Sequence, residues 1–366
     1  QTFLINTARS SRDKVSNNRI KPNQRGKKNM RMSKKILNDP KMVVEELLEG
    51  LVSAGHGSVR KIDGFNILVR SEIEPNKVGL LIGGGSGHEP LFPGFVGKNL
   101  ADGSACGNVF TAPPPNLILE ATRSVDGGKG VLYLYGNYTG DNMNFDIGME
   151  MAKDENIDIK TIRVWDDVAS APLDKIQERR GIAGDLFMIK IAGAATNAHE
   201  TLDEVYNVTS KARDWTRSMG VALSSGSIPE TGEYNFELPA DELEIGMGLH
   251  GEFGVFRKKM MQADQLVDEM VELILNDLPY KKGDEVAVLI NNLGATTMME
   301  LLVVNRRVHH LLKEKGITIY DTLIGSYCTS QEMAGCSITL MKLDDELKRL
   351  YDYPTESFAL SKLDKR

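Results

Sequence analysis

The sequence predicts an α/β protein in two parts: a mainly parallel sheet covered by helices, followed by a smaller α+β half. Apolar runs at 78–82, 131–135 and 159–164 alternate with stretches of helical spacing, the pattern of a parallel sheet buried on both faces. Two of those runs end in glycine-bearing polar turns, and open α/β sheets bind ligands at the carboxyl ends of their strands. After about residue 219 the pattern changes to short strands with turns between them. The expected division is therefore 32–216 and 217–366, with 1–31 as a basic extension ahead of both.

Each element follows from local pattern. Helical spacing of Val43, Leu47, Leu48 and Leu51 predicts a helix over 40–54, with Asn38 or Asp39 as cap and Pro40 in the first turn. Strands are expected at 65–69, 78–82, 131–135 and 159–164, with helices at 115–123 and 145–154 between them. Two helices, 181–198 and 202–219, follow around a short polar turn. The second half offers strands at 221–223, 235–238 and 244–248, a helix at 263–278 and a strand at 285–291. A helix at 298–314 and strands at 318–324 and 337–342 complete it.

Composition narrows the class. A chain of 366 residues, 26% charged and 41% hydrophobic, is long enough for two ordinary cores. No stretch approaches the roughly 18 apolar residues that a spanning helix needs. Cys106, Cys328 and Cys336 lack metal-ligand spacing and read as reduced thiols of a cytoplasmic protein. The overall charge of −7 hides an asymmetry, because residues 1–31 carry many Lys and Arg against one acid, Asp13. That segment has no apolar signal core. It reads as an added or upstream-translated extension, or an organellar leader, with Met32 as the natural start. The acidic remainder argues against nucleic acid as a partner.

The chemistry concentrates in a few motifs. Gly83-Gly84-Gly85-Ser86-Gly87-His88-Glu89-Pro90 follows the strand 78–82 directly. A dinucleotide fingerprint needs glycine where Pro90 stands, and a P-loop needs a Gly-Lys-Ser/Thr that does not follow. A nucleophile elbow on Ser86 needs glycine at His88. What remains is a ligand cradle with a titratable histidine, or a structural turn with an incidental one. Gly136-Asn137-Tyr138-Thr139-Gly140-Asp141 ends the strand 131–135 and presents a carboxylate, on the same sheet edge if the two strands run parallel in one sheet. Asp141 can act beside His88, or simply cap the next helix. Gly246-Met247-Gly248-Leu249-His250-Gly251-Glu252 flanks His250 with glycines, leaving room for a ligand to reach a neutral ring nitrogen. A turn histidine bonded to backbone is the alternative. The acidic pair Asp166-Asp167 reads as surface charge, and no metal site is expected.

Together GGGSGHEP, GNYTGD and GLHGE resemble the substrate-binding K domain of the dihydroxyacetone kinases. Arg179-Arg180-Gly181, Asn291-Asn292-Leu293-Gly294-Ala295-Thr296 and Tyr327-Cys328-Thr329-Ser330 support the likeness, which runs from about Lys35 to Leu360. The resemblance implies that His250 adds through its ring nitrogen to the ketone of dihydroxyacetone, forming a covalent hemiaminal. It implies that His88 and Asp141 orient and deprotonate the terminal hydroxyl, and that Gly85, Ser86 and Gly87 hold substrate hydroxyls. Two positions depart from the family's pattern. Gly136 stands where many members carry Lys, and Phe253 replaces a proline after His-Gly-Glu.

The resemblance also implies partners. This chain looks like the separate K subunit, which binds no cofactor itself. An ADP-binding L-type subunit would carry the nucleotide and Mg, and a phosphotransferase-system protein would recharge it. A homodimer is the family expectation. The alternative role is a non-catalytic, dihydroxyacetone-binding co-regulator of a transcription factor.

Overall fold

The computed structural model describes residues 33–252 and 254–363. The basic segment 1–31, Met32 and Phe253 lie outside the described residues.

In chain order, helix α1 (Val43–Ala54) precedes strands β1 (Val59–Lys61), β2 (Ile67–Arg70) and β3 (Gly79–Ser86). Strands β4 (Gly97–Lys98) and β5 (Gly103–Val109), helix α2 (Pro115–Val125), β6 (Val131–Gly136), α3 (Thr139–Asp154) and β7 (Ile159–Val164) follow. Helices α4 (Asp185–Ala198) and α5 (Leu202–Asp214) lead to β8 (Thr216–Ala222), β9 (Glu242–Ile245) and β10 (Phe256–Lys259). Then come α6 (Ala263–Asp277), β11 (Glu285–Asn292), α7 (Met298–Glu314), β12 (Thr318–Gly325), β13 (Gly335–Leu343), α8 (Asp345–Tyr351), β14 (Thr355–Ser357) and β15 (Ser361–Lys362).

The first sheet has the order β1-β2-β5-β3-β6-β7, with β5, β3, β6 and β7 mutually parallel. The second has the order β10-β9-β8-β13-β11-β12 and is antiparallel except for β11 beside β12. Strand alternation explains why both sheets read as apolar runs. In β6, Leu132 and Leu134 face one core while Val131, Tyr133 and Tyr135 face another. In β11, Ala287 and Leu289 face the first core and Val286, Val288 and Ile290 a third. Each strand is buried on both faces, so neither face needs polar residues. The shared core runs from Leu80 and Ile82 through the buried face of α4 to Ala287, Leu289 and Met341. A buried ion triad lies beside it: Arg179 grips Asp277 at the end of α6 with two bonds of 2.8 and 2.6 Å, and Arg217 of β8 shares the same carboxylate.

The α/β architecture matches the expectation, and several local readings need correction. The glycines 83–85 belong to the strand itself, paired with Ala105, Cys106 and Gly107 of β5. They are small for close approach: a Cβ on Gly84 would stand 2.4 Å from the Phe92 ring, and one on Gly83 2.5 Å from the Ala105 carbonyl. Only Gly87, with φ +104°, turns the chain. The expected helix 202–219 stops at Asp214, and Thr216 to Met219 enter β8. That strand carries a helix-compatible sequence, but pairing with β13 decides its conformation. Residues 235–238 form no strand. Asp166 and Asp167 are buried at 1% exposure, not surface charge. Asp166 accepts the Ile182 and Gly184 amides at 2.8 Å each, and Asp167 pairs with Arg180 at 2.9 Å.

Candidate active site

Parallel pairing of β3 and β6 places their carboxyl ends on one edge, as the sequence suggested. His88 leaves β3 immediately after Gly87 and is buried, with 3% exposure. Its Nδ1 lies 2.7 Å from the Thr329 carbonyl oxygen, an atom that only accepts, so Nδ1 carries the proton. The backbone repeats the clasp: Thr329 donates its amide to the His88 carbonyl and Gln331 donates to that of Gly87, both at 3.1 Å.

His250 arrives from the other sheet, on the loop after β9. Its Nε2 stands 3.0 Å from Nε2 of His88. Its Nδ1 is 3.1 Å from Oε1 of Glu252, whose Oε2 also accepts the His250 amide at 3.0 Å. The loop is fixed from behind, where Arg180 donates to the Gly246 carbonyl at 3.1 Å and Ser330 Oγ donates to that of Leu249. Around the His250 ring, Phe110 and Tyr138 present their rings edgewise at 5.5 and 5.0 Å.

Charges follow from this geometry. Burial first, and the neighbouring His250 charge second, pull His88 down to about 3, so it is a neutral ring at physiological pH. Burial alone would raise the Glu252 carboxyl, but its bond to His250 and the ring's charge bring it down to about 2. His250 thus sits between a carboxylate and a neutral acceptor nitrogen. Glu252 is the negative charge that faces the histidine pair.

Asp141 lies in the first turn of α3, where the N-cap is Tyr138 with no side-chain capping bond. Asp141 thus stands inside the helix, not at the N-cap itself. Its Oδ1 is buried without a partner, and burial lifts its pKa to about 7, opposed by His250. His88, Asp141 and His250 line one small cavity together with Gly85, Tyr138 and Asp185. Ser86 and Gly87 do not line it. The Ser86 hydroxyl donates to the Gly107 carbonyl at 2.8 Å, and the Gly87 amide donates to the Glu89 carboxylate at 3.0 Å. Among the described residues, no cluster of His, Cys, Asp and Glu is arranged to hold a metal ion. None of the described helices is long and apolar enough to cross a membrane.

The sequence profile of the Dak1 domain matches residues 49–359. The chain belongs to the Dak1 family of dihydroxyacetone kinases. It is 45% identical over 326 residues to the dihydroxyacetone-binding subunit DhaK of the PTS-dependent dihydroxyacetone kinase 2 of Listeria innocua, covering 88% of this chain and 98% of that protein. The crystal structure of the C. freundii dihydroxyacetone kinase superposes with a TM-score of 0.84 at 31% identity, over 92% of this chain. This Dak1 chain spans 62% of that longer enzyme. A dihydroxyacetone kinase operon co-activator, DhaQ, superposes with a TM-score of 0.82 at 29% identity, covering 87% of this chain and 98% of that one.

Sequence reasoning did not assign Glu252, Tyr138, Phe110, Thr329 or Asp185. Glu252 and Thr329 stand inside motifs that carry the resemblance, and two-residue spacing from His250 was a usable signal for Glu252. Nothing local marks Phe110, whose approach to His88 is purely tertiary.

Proposed function

We propose that this Dak1 chain is the dihydroxyacetone-binding subunit of a phosphotransferase-system-dependent kinase, holding the triose as a hemiaminal on His250. The relay from Glu252 through His250 to His88 carries this reading, because it delivers both a nucleophile and the proton the reaction needs. As substrate enters, the Nε2 proton of His250 passes to Nε2 of His88. The freed lone pair forms a bond to the carbonyl carbon. The π pair of the C=O bond moves to oxygen, which takes the proton from His88. The ring now bonded through Nε2 keeps its Nδ1 proton and positive charge, and Glu252 stabilises that charge.

The same arrangement explains selectivity. Glycerol lacks a carbonyl carbon and forms no such bond. With the triose anchored, its terminal hydroxyl lies beside Asp141, whose unpartnered oxygen accepts the proton as the hydroxyl oxygen bonds to phosphorus. A pKa near the working pH suits a general base. The phosphoryl group comes from ATP on an L-type partner, whose bond to the terminal phosphorus breaks and leaves ADP. This chain's share is positioning and proton transfer, which phosphoryl transfer chiefly requires.

The likeness to DhaQ favours a second reading, in which the site binds the triose and signals without turnover. One experiment separates the two. The protein is incubated with dihydroxyacetone and inspected by intact mass, then supplied with an ADP-loaded L-type subunit and its phosphoryl donors. An adduct followed by dihydroxyacetone phosphate supports catalysis. An adduct without turnover supports the co-regulator, and no adduct in wild type, or one that survives His250→Ala, removes His250 as anchor.

A further inference from the structure

The cavity wall holds a second carboxyl that the proposed chemistry leaves unused. Asp185, the first residue of α4, is 1% exposed and lines the cavity beside His88, Asp141 and His250. Its Oδ1 has no hydrogen-bond partner. Backbone amides ahead of α4 do not satisfy it, because those of Ile182 and Gly184 are already bound by Asp166. A buried carboxyl without partners is unfavourable in the empty protein, and such groups call for a physical explanation.

Gly136 supplies the second observation. A Cβ there would lie 3.2 Å from the Tyr138 ring and 3.3 Å from Oδ2 of Asp185. A long side chain at 136 would press on both groups. Glycine leaves that side of the cavity to the carboxyl of Asp185.

We infer that Asp185 is a substrate-positioning residue, whose carboxyl hydrogen-bonds a hydroxyl of the short polyhydroxy ketone or aldehyde held on His250. This rests on the reading of His250 as the anchor. Surrounding charge sets the direction of the bond. Burial first, then the carboxyls of Asp166 after β7 and Asp141 on α3, push Asp185 well above the ordinary carboxylate range. The buried thiol of Cys328, after β12, faces the same group. Asp185 therefore keeps its proton and donates, whereas Asp141, titrating near 7, accepts. Two carboxyls pushed apart in this way divide the work of holding a hydroxyl and deprotonating one.

The test compares Asp185→Asn and Asp185→Ala with wild type, reading the adduct mass, KM, kcat and the melting temperature of the ligand-free protein. Asparagine keeps a donor in place, so its KM stays within about threefold of wild type. Alanine raises KM by about tenfold, the worth of one buried hydrogen bond, with kcat much less affected. Alanine also raises the ligand-free melting temperature, because an unpartnered polar group is gone. An alanine variant with wild-type KM overturns the inference, as does one that loses melting temperature and affinity together, which marks a structural role. Absence of an adduct in wild type is a different failure: it removes the anchor, and this inference falls with it.

Discussion

The Nε2 atoms of His88 and His250 meet at 3.0 Å, and both rings turn Nδ1 toward an atom that can only accept. A proton shared between the two Nε2 atoms would link Glu252, His250, His88 and Thr329 in one hydrogen-bonded chain. The Glu252 carboxylate, brought down to about 2, is the counter-charge at one end of that chain.

Glu252→Gln removes the counter-charge while keeping the shape of the loop. Adduct formation with dihydroxyacetone should slow by about a hundredfold, in line with the loss of a group that orients and charges an imidazole. A time course of adduct mass under excess triose measures this. Wild-type kinetics in the variant would take Glu252 out of the relay.

Asp141→Asn should separate the two stages. The hemiaminal forms normally, because the His88–His250 pair is untouched, but turnover falls by about a hundredfold or more with the base gone. Adduct mass and coupled formation of dihydroxyacetone phosphate are measured on the same sample. Unimpaired turnover would show that another group accepts the hydroxyl proton.

The pH dependence has a definite sign. Below about 7 the Asp141 carboxyl holds its proton and cannot accept another; above it the carboxylate is free to act. With the L-type partner saturating, kcat should rise with pH through about 7 and then level off. The Asp141→Asn variant should lose this limb. A wild-type rate that is flat from mildly acidic to mildly alkaline pH would contradict the assignment.

A stability prediction concerns the buried triad. Asp277→Ala strands Arg179 and Arg217, which are 1% and 3% exposed, without their counter-ion. Removing one partner of such a group costs about 3–5 kcal/mol. Urea unfolding of the variant checks this, and a loss below about 1 kcal/mol would mean that water reaches the arginines.

The legible parts of the fold are those where local pattern and burial agree. Helix α7 carries a capping box, Thr297 with Glu300, ahead of regularly spaced apolar residues, and its span was read correctly from sequence. Strand β5 was missed because Gly103, Ala105 and Gly107 resemble a loop. They are small because neighbours crowd them: a Cβ on Gly107 would sit 1.9 Å from the Thr111 carbonyl oxygen. In the site, His88, Asp141 and His250 were legible from their glycine-flanked motifs, and the structure brings all three to one cavity. Asp185 was not, since an aspartate at the start of a helix looks like an ordinary first-turn acid. Only its burial and its missing partner distinguish it.

The clasp between Thr329 and His88 also makes the site depend on distant parts of the chain. During synthesis, His88 emerges from the ribosome long before His250, and the carbonyl that orients its ring comes later still, 241 residues downstream. A chain cut short before Thr329 would therefore hold His88 without the carbonyl that orients its ring.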